Sequence, residues 1–233
     1  MNTDSTAPAA PGTPQPAGDL AGLVVGLLGG TGPQGRGLAY RLARAGQRVV
    51  IGSRTARRAA DAASTIGLSV TGTDNAEAAR LSDIVIVTVP WDAHAATLQA
   101  LRGPLAGKLV VDSVNPLGFD ERGAFALRPE EGSAAEQAAA LLPDSRVTAA
   151  FHHVSATVLS DPEAASVDTD VMVLGDDRAD TDLVARLAER IPGVRGIYGG
   201  RLRNAHQVEG LVANLISVNR RYKTHAGVRV SGL

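Results

Sequence analysis

The chain has 233 residues, with 23 Lys and Arg against 24 Asp and Glu, a formal net charge of −1. Aromatics make up 3% of it and cysteine is absent. The basic field and stacking surface of a nucleic-acid binder are therefore missing, and disulfides, cysteine nucleophiles, iron–sulfur clusters and thiolate zinc sites are excluded.

Residues 1–20, rich in Pro, Ala, Thr and Ser, lack the charged start and apolar middle of a secretory signal and are expected to form a disordered tail. No apolar run approaches the ~18 residues of a membrane span, and zero cysteines fit a reducing, cytoplasmic setting. From Leu23 the pattern changes. LVVGLL (Leu23–Leu28) reads as a buried strand, and GRGLAYRLARAG (Gly35–Gly46) as a helix closed by glycine. RVVIGS (Arg48–Ser53) is a strand and Thr55–Gly67 a helix; Leu68–Thr71 is expected as a third strand and Asp74–Leu81 as a short helix. DIVIVTVP (Asp83–Pro90) is a strand rich in β-branched residues, followed by a helix at Trp91–Gly103 and a strand at Lys108–Ser113.

Beyond Asn115-Pro116, Leu117–Gly132 reads as an irregular polar stretch, then Ser133–Leu142 as helix and Arg146–Phe151 as strand. Val171–Gly175 and Arg195–Tyr198 are further strands, with helices at Thr181–Ile191 and from Arg203 to about Tyr222. Alternating strands and helices with short connections predict an α/β fold, a doubly wound Rossmann-type parallel sheet, with a smaller C-terminal α/β region. A soft boundary near Phe151 divides residues 21–151, the dinucleotide-binding domain, from residues 152–233.

Gly30-Thr31-Gly32-Pro33-Gln34-Gly35 matches G-x-G-x-x-G between a strand and a helix, the context in which that motif binds a dinucleotide. Gly30 permits the sharp turn, Gly32 lets the backbone approach a pyrophosphate, and Gly35 allows close helix–strand packing. An NAD site usually places a carboxylate ~20 residues later, on the ribose hydroxyl. Here Ser53, Arg54 and Arg58 stand in that region, a set suited to the 2′-phosphate of NADP through charge-assisted hydrogen bonds. Thr88-Val89-Pro90-Trp91 ends the fourth strand, where Pro90 and Trp91 either wall the ligand crevice or terminate the strand and fill the core.

LLGGTGPQGRGLA, IGSRTARRA, VTVPWDAH, RVTAAFHHVSA and SVNRRYKTHAGVRVSGL together resemble the NADPH-dependent coenzyme F420 reductase family, from about Leu23 to the C-terminus. The resemblance implies reversible direct hydride exchange between NADP(H) and the deazaflavin coenzyme F420, in a homodimer. It places Thr31, Gly32, Pro33 and Gln34 on the pyrophosphate, Ser53, Arg54 and Arg58 on the 2′-phosphate, and Val89 beside the cofactor. The family's deazaflavin pocket lies at a His-Thr-Ile-Pro-Ala motif. The matching positions are His152, Val154 and Ala156, with Ser155 replacing the Pro. Residues 152–233 would then carry deazaflavin-site and dimerisation elements. The cations of Asn219-Arg220-Arg221-Tyr222-Lys223 either meet the deazaflavin tail or decorate a helix end, where positive charge is favourable.

No Lys, Asp or Glu pair suited to acid–base work is identifiable near the crevice, and no His or carboxylate cluster has metal-ligand spacing. The expectation is an enzyme with no catalytic side chain and no metal, because hydride transfer between stacked heterocycles requires neither. Two alternatives stay open on the residues alone: an NADP-dependent reductase of an imine, 2-oxo acid or ferric chelate, and a non-catalytic NADP(H) sensor.

Overall fold

The computed structural model describes residue 20 and residues 22–233; residues 1–19, the body of the expected tail, lie outside the described residues. Leu20, expected as the last residue of that tail, is instead 4% exposed and packs in the core.

An eight-stranded sheet organises the chain. Its strands are β1 (Val24–Leu28), β2 (Arg48–Ser53), β3 (Thr71–Asp74), β4 (Ile84–Val87), β5 (Leu109–Asp112), β8 (Arg146–Ala149), β9 (Thr169–Gly175) and β10 (Val194–Gly200), in the order β10-β9-β8-β5-β4-β1-β2-β3. From β3 to β8 every pairing is parallel; β9 joins β8 antiparallel and β10 lies parallel to β9. The first six strands follow the doubly wound order whose switch point lies between β1 and β4. β1, β4 and β5 are buried at every position, as expected of strands covered on both faces.

Helices α1 (Pro33–Arg44), α2 (Ala56–Ile66), α3 (Asn75–Leu81), α4 (Trp91–Leu105), α5 (Ala134–Leu141), α6 (Ala156–Ser160), α7 (Arg178–Glu189) and α8 (Ala205–Tyr222) complete the fold. One apolar layer joins Leu27, Leu38 and Ile51 to Phe151 and Leu187, and another joins Leu28, Val87, Leu98 and Leu105. The sheet runs without interruption past Phe151.

Several elements differ from the sequence reading. The third strand starts at Thr71, where the expected one ends, because Gly67, Leu68 and Ser69 adopt positive φ and form a turn. The fourth ends at Val87, since Pro90 already caps α4. That helix continues through Gly103 and Pro104 to Leu105. The stretch read as irregular folds as a hairpin of β6 (Leu117–Asp120) and β7 (Gly123–Ala126). Asp120 Oδ1 accepts from the N–H groups of Arg122 and Gly123, and Gly123 takes the positive φ that the reversal needs. α7 begins at Arg178 because Asp177 caps it.

Candidate active site

The glycine loop forms as its spacing predicts. Gly30 N–H donates to the carbonyls of Leu27 (3.1 Å) and Gly52 (3.0 Å), which closes the turn against β2. A Cβ at Gly35 would stand 2.4 Å from Gly30 Cα, so Gly35 is required by packing. A Cβ at Gly32 would meet nothing nearer than Gly29 O at 3.6 Å. The space beside Gly32 is therefore free of protein and faces the N-terminus of α1, where unpaired N–H groups and the helix dipole favour an anion. Pro33 opens that helix, at a position where its missing N–H costs nothing.

A cleft of about 440 Å³ brings Thr31, Gly32, Pro33 and Gln34 together with Ser53, Arg54, Arg58, Val89 and Pro90. Ser53 is buried, whereas Arg54 and Arg58 are exposed at the mouth. Asn75 also lines this cleft, and its Oδ1 accepts from Gly29 N–H at 3.3 Å. Sequence reading had no signal for Asn75, the first residue of α3. Trp91 is half-buried. It packs on the apolar layer beneath α4 and stacks on His94, with centroids 5.5 Å apart, and is absent from the cleft lining.

At the end of β8 the chain turns sharply at Phe151, a buried residue with φ of +67°. Two side chains hold this turn: Gln34 Nε2 donates to Phe151 O (3.1 Å) and Asn115 Nδ2 donates to His152 O (3.0 Å). His152 and His153 are each 4% exposed, and none of their four ring nitrogens has a hydrogen-bond partner among the described residues. Burial pushes both imidazoles down to about 4, so both are neutral at pH 7. Val154 is buried beside them. Ser155 caps α6 by accepting from Val158 N–H, which gives the serine its own structural use, and Ala156 is the first residue of that helix.

α6 is fastened to α1 by Arg41, which is 2% exposed. Its guanidinium donates to the carbonyls of Leu159 (2.9 Å), Ala164 (2.7 Å), Val158 (2.8 Å) and Asp161 (2.9 Å). A cation over the last carbonyls of a helix also meets the negative end of its dipole. The glycine loop and the histidine turn are thus joined twice, through Gln34 and through Arg41.

A buried polar network behind β5 escaped the sequence reading, because its members come from four separate elements. His94 Nε2 donates to Asp112 (2.7 Å) and Nδ1 to Gln137 Oε1 (2.8 Å), while Gln137 Nε2 donates to Glu131 (3.1 Å). Burial opposes charge on His94, but the hydrogen bond and charge of Asp112 outweigh it and raise the imidazole above its usual range. Glu209 accepts from the N–H groups of Ala134 and Ala135, and burial pushes it up to about 7.

A switch-point cleft with a glycine loop and two guanidiniums at its mouth defines a Rossmann-type dinucleotide-binding protein. Residues 24–116 match the family described as NADP oxidoreductase, coenzyme F420-dependent. The F420-dependent NADP reductase of Methanothermobacter marburgensis is 41% identical over 223 residues, spanning 91% of this chain and 99% of that protein. Its counterpart in Methanocaldococcus jannaschii is 35% identical over the same shares. The crystal structure of a putative F420-dependent NADP reductase from an Arthrobacter species superposes with a TM-score of 0.77 at 27% identity, covering 90% of this chain and 100% of that one. The chain belongs to the family of F420-dependent NADP reductases.

Proposed function

We propose that the cleft and the histidine turn hold NADP(H) and coenzyme F420 face to face for direct, reversible hydride transfer, with no side chain acting as an obligatory acid or base. The chain is an NADP- and F420-linked oxidoreductase, and the proposal concerns how its residues carry out that reaction. The Thr31–Gln34 turn receives the pyrophosphate through the backbone N–H groups of Thr31, Gln34 and Gly35, which have no partner among the described residues. Ser53, Arg54 and Arg58 receive the 2′-phosphate; among the described residues neither guanidinium has a side-chain partner, which leaves both available. Val89, Pro90 and the 152–156 segment form the walls, with His152, Val154 and Ala156 toward the deazaflavin.

The observation that carries the reading is the Gln34–Phe151 hydrogen bond. It ties the phosphate loop to the turn that carries the two buried imidazoles, whose ring nitrogens have no hydrogen-bond partner among the described residues. Two stacked rings exchange a hydride when their reacting carbons are held roughly 3–3.5 Å apart and water is excluded. Residues 21–151 supply the nucleotide half of that arrangement and residues 152–233 the deazaflavin and dimerisation half. Exposed apolar side chains on α8 (Val218, Tyr222) support a homodimer. A cytoplasmic setting is part of the same reading, supported by the absence of cysteine. Among the described residues, no helix is long and apolar enough to cross a membrane.

Mixing the protein with NADPH and oxidised coenzyme F420 should bleach the deazaflavin absorbance stoichiometrically. Silence in that assay, with NADPH still bound, would favour the sensor reading.

A further inference from the structure

A second open groove of about 440 Å³ runs along the outer face of α1, between the end of α2 and α6. Thr31, Arg36, Tyr40, Thr65 and Ser160 line it, so its polar groups are hydroxyls and a single guanidinium, with no carboxylate among the lining residues. We propose that this groove receives the anionic tail of the deazaflavin substrate, the phosphate and glutamate carboxylates beyond its ribityl chain, with Arg36 as the cation that meets it. The inference rests on residues 152–156 being the ring site.

Three observations carry it. The first is that Arg36 is the uncommitted cation of its helix. Arg41 spends its guanidinium on α6 and Arg44 donates to Tyr40 Oη (2.8 Å), whereas the Arg36 guanidinium has no hydrogen bond or ion pair among the described residues. The second is continuity. Thr31 and Pro33 line both the nucleotide cleft and the groove, and Ser160 ends the helix that Ala156 begins. A substrate whose ring lies at 152–156 can therefore lay its side chain along α6 into the groove without crossing the nucleotide. The third is rigidity. A Cβ at Gly37 would stand 2.6 Å from Leu159, and the four Arg41 bonds fix α6 against α1, so the groove wall is set before the ligand arrives. NADP has its own partners, Arg54 and Arg58 for the 2′-phosphate and backbone N–H groups for the pyrophosphate, so Arg36 is surplus to it.

The test compares two acceptors, coenzyme F420 with its full tail and the same deazaflavin bearing only the ribityl chain. Arg36→Gln should raise KM for tailed F420 roughly 10-fold, the loss of one charge-assisted hydrogen bond. KM for the tail-less acceptor and for NADPH should stay unchanged. Arg36→Lys should recover part of the difference, and the salt sensitivity of KM for tailed F420 should fall in Arg36→Gln. Equal losses with both acceptors, or a rise in KM for NADPH, would overturn the assignment. So would a tail-specific loss in Arg220→Gln/Arg221→Gln that Arg36→Gln lacks, since the tail would then lie at the end of α8. If the wild-type protein reduces neither acceptor, the ring-site reading falls and this inference with it. If it reduces both with equal KM, the tail has no subsite and only this inference falls.

Discussion

The nucleotide cleft and the histidine turn lie on the same edge of the sheet, yet they are made of opposite materials. In the cleft the binding groups are backbone N–H groups on a contiguous loop and two exposed guanidiniums, Arg54 and Arg58, which water solvates until an anion replaces it. At the turn the groups are neutral imidazoles with almost no exposed surface, on a backbone whose carbonyls accept from Gln34 and Asn115 elsewhere in the chain. The first arrangement is suited to charge; under the proposed reading the second meets the deazaflavin by shape. A substitution of Arg54 or Arg58 at the mouth of the cleft should therefore act on nucleotide affinity alone, whereas one at the turn acts on folding and, under the proposed reading, on the deazaflavin together.

Two glycines only three residues apart test that contrast most strongly. Gly35→Val drives a side chain into the Gly30 backbone and should prevent folding. Gly32→Val meets open space within the protein and should fold, while NADPH binding is lost. Thermal unfolding and calorimetry separate the two outcomes, and normal NADPH affinity in folded Gly32→Val would break the account of the loop.

The next effect belongs to the mouth of the cleft. Arg54→Ala with Arg58→Ala should lower kcat/KM for NADPH by about 10²-fold or more, each contact being worth ~1.5–3 kcal/mol, with NADH almost unaffected. Equal losses for both nucleotides would mean a damaged fold. At the other end, Arg41→Met strips four carbonyls, that of buried Leu159 among them, of a shared donor and should cost about 2–4 kcal/mol of stability. In the surviving folded protein KM for F420 should rise before KM for NADPH does.

The smallest effect is a pH dependence of stability. His152 and His153 sit at about 4 in the fold and near 6.5 when unfolded, so below pH 6.5 the unfolded chain binds more protons and stability falls as pH drops toward 4. Glu209 acts in the opposite sense. Its folded value of about 7 exceeds the unfolded 4.5, so its contribution is lost as pH rises through that window. Denaturant melts at pH 4.5 and pH 7 should show His153→Asn flattening the acid limb and Glu209→Gln flattening the opposing one, each by on the order of 1–3 kcal/mol.

This division also explains what the sequence made legible. The loop at residues 30–35 and the set Ser53, Arg54 and Arg58 are local patterns, where spacing and charge carry the meaning. β2 is buried on both faces and its bounds emerge directly from the apolar run. β3 was displaced because Leu68, an apolar residue, sits exposed in a positive-φ turn. The β6–β7 hairpin was hidden by charged turn residues and by apolar side chains that stay exposed. Trp91 could be read for wall or core because a strand end serves either purpose. Asn75, Asn115, Arg41 and the His94–Asp112 pair matter through partners 18 to 123 residues away, a distance no local pattern encodes.

The central claim is that the protein works by holding two rings together, with no side chain as obligatory proton donor. His152 is the residue best placed to contradict it, and an imidazole held near 4 carries no spare proton at pH 7. Single-turnover hydride transfer from NADPH to F420, with both ligands bound, measures the claim directly in His152→Ala. The account predicts a loss smaller than the ~10²–10⁴-fold typical of a general acid–base residue. A fall of more than ~10³-fold, with both ligands still bound, would assign His152 a chemical role and contradict it.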